Sequence, residues 1–221
     1  MSIYQKREKE RRYLADGLEA MGASLNPEQI NQLLDYLDLF EKWNRSYNLS
    51  AVRDRRFMLS LHLLDSLSLL PHLEGQSFAD VGTGGGLPGI PLAIAFPEKH
   101  FTLIDSAGKK MRFLHQVKSE LALTNVGTFH GRAEDFQGST FDGVISRAFA
   151  SLKDMVHFSA GLLSPGGKFW AMKGQKPEEE LREIEKDFIV DKLTSLHVPD
   201  LDAHRCLVVF HPKEPAHRAA E

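Results

Sequence analysis

The chain has 221 residues, and 27 lysines and arginines against 30 aspartates and glutamates give a net charge of −3. At 42% hydrophobic and 26% charged, the composition is that of an ordinary globular protein and excludes disordered, collagenous and disulfide-stapled classes. One α/β core with an appendage suits this length, since single cores stop growing at about 250–300 residues. The lone cysteine, Cys206, cannot form an internal disulfide, and no Cys/His spacing matches a zinc site. No metal is therefore expected, and a reducing, cytoplasmic compartment is. The opening MSIYQKREKERR is too charged for a signal-peptide apolar region, and the apolar run from Ile90 to Phe96 is far short of the roughly 18 residues of a membrane span. Slight overall acidity confines any nucleic-acid surface to a local basic patch.

Residues 1–74 read as a helical extension that faces RNA. Lys6, Arg7, Lys9, Arg11 and Arg12 form a first basic cluster, and Lys42, Arg45, Arg53, Arg55 and Arg56 form a second, opposed only by Asp54. The second cluster supplies the candidate RNA-binding residues. Asn26, Pro27 and Gln29 give an N-cap, a first-turn proline and a capping-box glutamine. Ile30, Leu33, Leu34, Leu37, Phe40, Trp43 and Tyr47 then keep helical spacing, which makes the two aromatics core residues rather than base-stacking platforms. A third helix is predicted from about Arg55 to Leu70, stopped by Pro71. His62, within it, reads as a packed or capping histidine.

Residues 75–213 alternate between β-rich and helical runs, with Gly, Pro or Asn at the boundaries. Strands are predicted near 77–81, 100–105, 126–130, 141–146, 167–173, 189–197 and 205–211, and helices near 88–96, 108–121, 151–162 and 177–187. That rhythm predicts a doubly wound, mostly parallel, Rossmann-like sheet. The short link between the last two strands leaves no room for a crossover helix, so they should pair antiparallel. Residues 214–221 read as a frayed tail.

The segment from Ser77 to Leu92 turns a strand through Gly82, Gly84, Gly85, Gly86 and Gly89 into a helix. Glycines let a ligand approach the backbone, and the helix start offers free N–H groups to an anion. Gly84-x-Gly86-x-x-Gly89 also satisfies the dinucleotide fingerprint, so glycines alone do not separate NAD from other adenosyl cofactors. Asp80, two residues before Gly82, tips the balance. A carboxylate there suits the ammonium and sulfonium of S-adenosylmethionine and repels a pyrophosphate. Asp105 ends the next strand, where a carboxylate accepts hydrogen bonds from ribose hydroxyls. The loop Gly131 to Asp135 follows the third strand, where an adenine would lie against backbone amides or Glu134.

The fourth strand ends in Ser146-Arg147-Ala148-Phe149 and carries no Asn-Pro-Pro-aromatic run of the kind that orients an exocyclic base amine. Cys206, on the last strand, is expected to lie far from this edge, which removes the nucleophile that pyrimidine-carbon methylation uses. A ring nitrogen such as guanine N7 has an in-plane lone pair and needs alignment and desolvation rather than a base. Arg147 is placed to anchor a phosphate, a base carbonyl or the cofactor carboxylate. Lys173 ends the fifth strand on the same edge, and the run from Glu178 to Asp187 mixes both signs as a solvated helix face.

Asp80-Val-Gly-Thr-Gly-Gly-Gly-Leu-Pro-Gly-Ile-Pro-Leu, Asp105-Ser, Phe141-Asp-Gly-Val-Ile-Ser-Arg-Ala-Phe, Met172-Lys-Gly and Lys42-Trp-Asn-Arg-Ser-Tyr-Asn-Leu together resemble the bacterial 16S ribosomal RNA guanine-N7 methyltransferase G family, also called glucose-inhibited division protein B. The resemblance spans roughly residues 10 to 212. It implies a class I S-adenosylmethionine-dependent methyltransferase with a seven-stranded sheet. It also implies cofactor contacts at Gly82, Leu87, Ala133, Glu134 and Arg147, beside Asp80, Gly84 and Asp105 from the residues themselves. Arg147 and Lys173 become the candidate catalytic residues, with no general base. The implied acceptor is guanine 527 in 16S RNA, presented as free RNA or in the 30S subunit, and the protein is expected to act as a monomer. Gly85 stands where members often have Pro and is expected to loosen the loop slightly. Two rivals stay open: an NAD-dependent oxidoreductase, disfavoured by Asp80, and a non-catalytic cofactor-binding regulator linked to cell division.

Overall fold

The computed structural model describes residues 2–147 and 149–213; Ala148 and the expected frayed tail lie outside them. Two long helices open the chain, α1 (Ile3–Ala20) and α2 (Pro27–Tyr47). The predicted capping box at α2 is formed: the Gln29 amide donates to Asn26 Oδ1 at 2.9 Å and the Asn26 amide to Gln29 Oε1 at 3.0 Å. Gln29 does more, because its Nε2 donates to the carbonyls of Ile94 and Ala95, each at 3.0 Å. One side chain thus starts α2 and satisfies the open end of the helix beneath it.

The third predicted helix is interrupted. A helical turn α3 (Arg55–Met58) runs into a π-helical stretch (Leu59–Leu64), then α4 (Asp65–Leu67), and a 3-10 turn (Leu70–His72) carries Pro71. The wide π turn is a local sequence of hydrogen bonds that apolar periodicity does not encode, and such turns gather at functional sites.

Seven strands follow: β1 (Ser77–Val81), β2 (His100–Asp105), β3 (Val126–His130), β4 (Phe141–Ser146), β5 (Leu163–Lys173), β6 (Phe188–Ser195) and β7 (Cys206–Pro212). Between them lie α5 (Gly89–Ala95), α6 (Gly108–Glu120), α7 (Leu152–Ser159) and α8 (Glu178–Ile184). The order across the sheet is β3-β2-β1-β4-β5-β7-β6, with β7 antiparallel to both β5 and β6 and the other pairs parallel. Only β5 departs much from its predicted extent, starting at Leu163 because a bulge pairs Leu163 with Phe141 and Lys168 with Gly143. Gly166, at φ +81°, supplies the left-handed turn inside that bulge.

Both sheet faces are buried, with period-two alternation. Phe78, Phe101, Leu103, Ile145, Trp170, Leu207 and Val209 join one core with Leu33, Leu37, Phe40, Leu63 and Ile90. Ala79, Val81, Ile104, Val144, Phe169, Val208 and Phe210 join the other, with Leu152 and Met155. The first core therefore runs without a break from the opening helices into the sheet, and α2 packs against α5 and α6. Among the described residues no helix is long and apolar enough to cross a membrane.

Candidate active site

Strand order reverses between β1 and β4, the point where an open α/β sheet leaves a crevice beyond its carboxyl ends. The loop after β1 fills one wall. Gly82, Gly84 and Gly86 hold φ of +70°, +62° and +90°, a region that side chains rarely adopt. Around Gly84 a Cβ would meet nothing nearer than 3.9 Å, so its absent side chain leaves the space in front of the loop open. The loop is held from behind by α2. Tyr36 donates its hydroxyl hydrogen to the Gly85 carbonyl at 2.7 Å, and a Cβ on Gly85 would come within 2.4 Å of the Phe40 ring. The Phe40 ring thus occupies the space a larger residue at position 85 would take.

Asp80 is buried under this loop. Its Oδ2 accepts from Thr83 Oγ1 at 2.7 Å and from the Gly89 amide at 2.8 Å, while its Oδ1, also buried, has no hydrogen-bond partner. Burial pushes its pKa up to about 6, against the pull of the Thr83 and Gly89 hydrogen bonds and the Arg147 charge. Asp105 joins the two strand ends: Oδ2 accepts from the Gly84 amide at 2.9 Å and pairs with Lys110 Nζ at 3.4 Å, and Oδ1 accepts from the Ala107 amide at 2.8 Å.

A cavity of about 390 Å³ opens in front of these groups, lined among others by Gly82, Asp105, Lys110, Ala133, Glu134 and Phe149. Ala133 and Glu134 lie in a 3-10 turn (Ala133–Asp135) after β3. Phe149 and Phe158 lie parallel at its far side, their rings 6.3 Å apart and inclined by 9°. The cavity fits an adenosyl cofactor: carboxylate acceptors for a ribose at Asp105, a wall at Ala133 and Glu134 for an adenine, and an unpaired buried carboxylate oxygen at Asp80 beneath the loop. Phe149 closes the Ser146-Arg147-Ala148-Phe149 motif, whereas Phe158 belongs to no motif in the sequence. Leu87 is not in the cavity wall; its side chain is buried in the core and its amide donates to the Thr83 carbonyl at 2.9 Å. A larger groove of about 600 Å³, between α1 and α3, is lined by Lys6, Tyr13, Arg56, Phe57 and Asp200 and takes no residue from the strand ends.

The rest of the edge, at the ends of β4 and β5, holds Arg147 and Lys173. Arg147 Nη1 donates to Asp65 Oδ2 at 2.9 Å and to the Leu61 carbonyl at 3.3 Å. Lys173 Nζ donates to the Ala150 carbonyl and pairs with Glu180, both at 2.9 Å, so one member of the mixed-charge run leaves the solvated face to hold it. Cys206 corrects an expectation. Because β7 runs antiparallel, its first residue pairs with Lys173 at the ligand edge, not far from it. The thiol is nonetheless buried, donates to the Gln175 carbonyl at 3.1 Å, and burial raises its pKa, which suppresses the thiolate a nucleophile requires. His62 is packed, as expected, against Phe40 with ring centroids 5.1 Å apart and both nitrogens buried without partners.

The basic clusters are mostly paired within the protein. Arg55 is 10% exposed and forms ion pairs with Glu10 at 2.7 Å, Asp38 at 2.6 Å and Glu41 at 3.1 Å, which removes it from the surface the sequence suggested. Arg53 donates to the Asn44 carbonyl at 2.5 Å and to Asn48 Oδ1. Arg7 bridges to Asp35 and Asp38. Arg45 and Arg56 stay exposed, at 75% and 85%, with local partners Glu41 and Asp54, and Lys42 is exposed. Trp43 packs against the core as expected, but Tyr47, at the end of α2, is exposed rather than buried and stacks on Trp43, centroids 4.8 Å apart. Among the described residues no group of three metal-ligating side chains is present.

The model of the family described as GidB, rRNA small subunit methyltransferase G, matches residues 29–208. A protein named ribosomal RNA small subunit methyltransferase G from Saccharophagus degradans is 56% identical over 208 residues, covering 94% of this chain and 93% of that one. The protein of the same name from Escherichia fergusonii is 50% identical over 200 residues, covering 90% and 97%. Among solved structures, M. capricolum TrmK in complex with S-adenosyl-homocysteine superposes with a TM-score of 0.55 at 14% identity, covering 72% of this chain and 71% of that one. The ribosomal protein L11 methylase of Lactobacillus delbrueckii subsp. bulgaricus gives 0.53 at 15%, covering 73% and 80%; both likenesses concern the fold. With the glycine cradle, the cavity beside it and a match over most of its length, the chain belongs to the rRNA small subunit methyltransferase G family.

Proposed function

We propose that the protein transfers a methyl group from S-adenosylmethionine to N7 of a guanine in 16S ribosomal RNA, the guanine at position 527 by family resemblance. The observation that carries this reading is the cavity at the β1/β4 switch point, lined by the Gly82 loop, Asp105, Ala133 and Glu134, in a chain whose relatives are named as small-subunit rRNA methyltransferases. The cofactor supplies an electrophilic methyl on a positively charged sulfur. The chain's own part is binding and alignment. The glycine loop lets the ligand approach the backbone, Asp105 presents acceptors to the ribose, and Asp80 contributes a buried negative charge behind the loop.

A guanine N7 lone pair attacks without losing a proton, so alignment suffices. The titratable groups on the substrate edge fit that requirement, being already engaged: Arg147 with Asp65, Lys173 with Glu180, and Cys206 as a buried thiol. A dinucleotide, by contrast, would set a pyrophosphate against Asp80. In this reading residues 1–74 are an RNA-facing extension, with Lys42, Arg45, Arg53 and Arg56 the exposed members of its second cluster. The protein works in the cytoplasm as a monomer on 16S RNA or the 30S subunit. Incubation with labelled S-adenosylmethionine and 30S subunits lacking the modification should label 16S RNA. Absence of transfer to both the particle and free RNA, with the cofactor bound, would favour the regulator reading.

A further inference from the structure

Asp65 is a buried carboxylate that no motif marks. It opens α4 directly after the π-helical stretch, its side chain is 4% exposed, and it receives two arginines. Oδ2 accepts from Arg147 Nη1 at 2.9 Å and Oδ1 accepts from Arg205 Nε at 3.0 Å. Arg205 immediately precedes β7, and the pairing of Cys206 with Lys173 brings it to the edge where β4 and β5 end. Arg147, Lys173 and Arg205 therefore line one rim of the sheet.

Their charges are not equally balanced. Lys173 is matched by Glu180, whereas two guanidinium groups share the single carboxylate of Asp65, which leaves one positive charge in excess. Arg205 uses Nε on Asp65 and Nη1 on the His204 carbonyl, at 2.9 Å, and among the described residues its Nη2 makes no hydrogen bond. It is 23% exposed, and Arg147 26%, so both are held in place and still reach solvent. A guanidinium fixed on one side and open on the other is a preorganised anion receptor. Arg205 also stands three strands from β1, about 14 Å at ordinary strand spacing, away from the adenosyl cavity and on the side left for substrate.

We propose that Arg205 binds a backbone phosphate of the RNA next to the target nucleotide, with Asp65 as the positioning residue that aligns it beside Arg147. This rests on the rRNA-methylating reading above and adds the residue that grips the substrate.

The test uses full-length protein with 30S subunits from a strain lacking the modification. Arg205→Gln should raise KM for the particle about tenfold with kcat little changed, leave S-adenosylhomocysteine affinity by calorimetry unaltered, and reduce the slope of log binding constant against log salt for 16S RNA by about one. Arg205→Lys keeps the charge and should restore the slope. Asp65→Asn should raise KM in the same direction. An unchanged KM and slope in Arg205→Gln overturns the proposal, as does weakened S-adenosylhomocysteine binding with normal RNA affinity, which would assign the arginine to the cofactor carboxylate. Should Arg205→Gln not fold, Arg205→Lys decides: one ammonium cannot bridge Asp65 and a phosphate with a planar group, so KM rises severalfold, and an unchanged KM overturns the proposal. The salt slope is measured without turnover, so it reads Arg205 even if the methylated atom proves not to be guanine N7.

Discussion

At the scale of single residues, Asp80 and His62 are buried titratable groups perturbed in ways that can be measured. Burial raises the Asp80 pKa to about 6, so the folded state favours its protonated form. Its contribution to stability is fully present below the ordinary carboxylate value and lost as pH rises through about 6. In the proposed reading the ammonium group of the cofactor, which S-adenosylhomocysteine retains, reverses that preference and expels the proton. Calorimetry of S-adenosylhomocysteine binding near pH 5.5, in buffers of different ionisation enthalpy, should register proton release and weaker binding than at pH 8. Binding independent of both pH and buffer would remove Asp80 from the cofactor's electrostatics. For His62, burial first and the Arg147 charge second lower the pKa to about 4. Its contribution is present above the unfolded value near 6.5 and is lost as pH falls toward 4. His62→Phe, which replaces an imidazole with two unpartnered nitrogens, should therefore gain thermal stability over wild type as pH drops from 7 to 5. An unchanged difference between those pH values would contradict this. Gly85 gives a third check, because a proline there would drive its ring into Phe40; Gly85→Pro should lower the melting temperature and weaken cofactor binding together. The glycines and acids of this loop were legible in sequence. Tyr36 and Phe40 as its support were not, because they arrive from a helix whose docking no local pattern encodes.

Among the elements, the opening helices show how a charge count misleads. The excess of Lys and Arg in two stretches suggested a continuous RNA surface, but Arg55 points inward to Glu10 on α1 and to Asp38 and Glu41 on α2. Acids a helix away in space, and far off in sequence, neutralise it. Arg55→Ala should accordingly destabilise the fold by up to about 3 kcal/mol, since it leaves the buried Glu10 with only Lys6, at 3.9 Å, to balance it. Chemical denaturation measures this, and a loss below about 0.5 kcal/mol would return Arg55 to the surface. Lys42, Arg45 and Arg56 changed together to glutamate should do the opposite: melting temperature nearly unchanged, RNA binding weakened most at low salt, S-adenosylhomocysteine binding intact. The strand and helix rhythm of residues 77–212 was readable because each apolar run carries its own period and its own Gly, Pro or Asn boundary. The π-helical stretch and the bulge of β5 were not readable, since both are set by neighbours rather than by local spacing.

Across the whole molecule, topology decides which residues meet. An antiparallel final strand returns its start to the edge where the parallel strands end, and this single reversal places Cys206 and Arg205 beside Lys173. Sequence reading recognised the reversal between β6 and β7 but could not give their order in the sheet, and so put Cys206 at the wrong end. Its inertness now follows from burial rather than distance. The proposed division of labour along the edge follows from the same order: β1, β2 and β3 border the cavity assigned to the cofactor, while the ends of β4 and β5 and the start of β7 carry the cations assigned to substrate. Direct transfer to a ring nitrogen needs nothing further from the chain. The decisive measurement is identification of the modified nucleoside and its position in 16S RNA after incubation with the purified protein and S-adenosylmethionine. The expected product is 7-methylguanosine, cleaved by borohydride and aniline at one site and formed equally well by Cys206→Ala. Recovery of 5-methylcytidine or N6-methyladenosine, or a protein–RNA adduct trapped through Cys206, would contradict it.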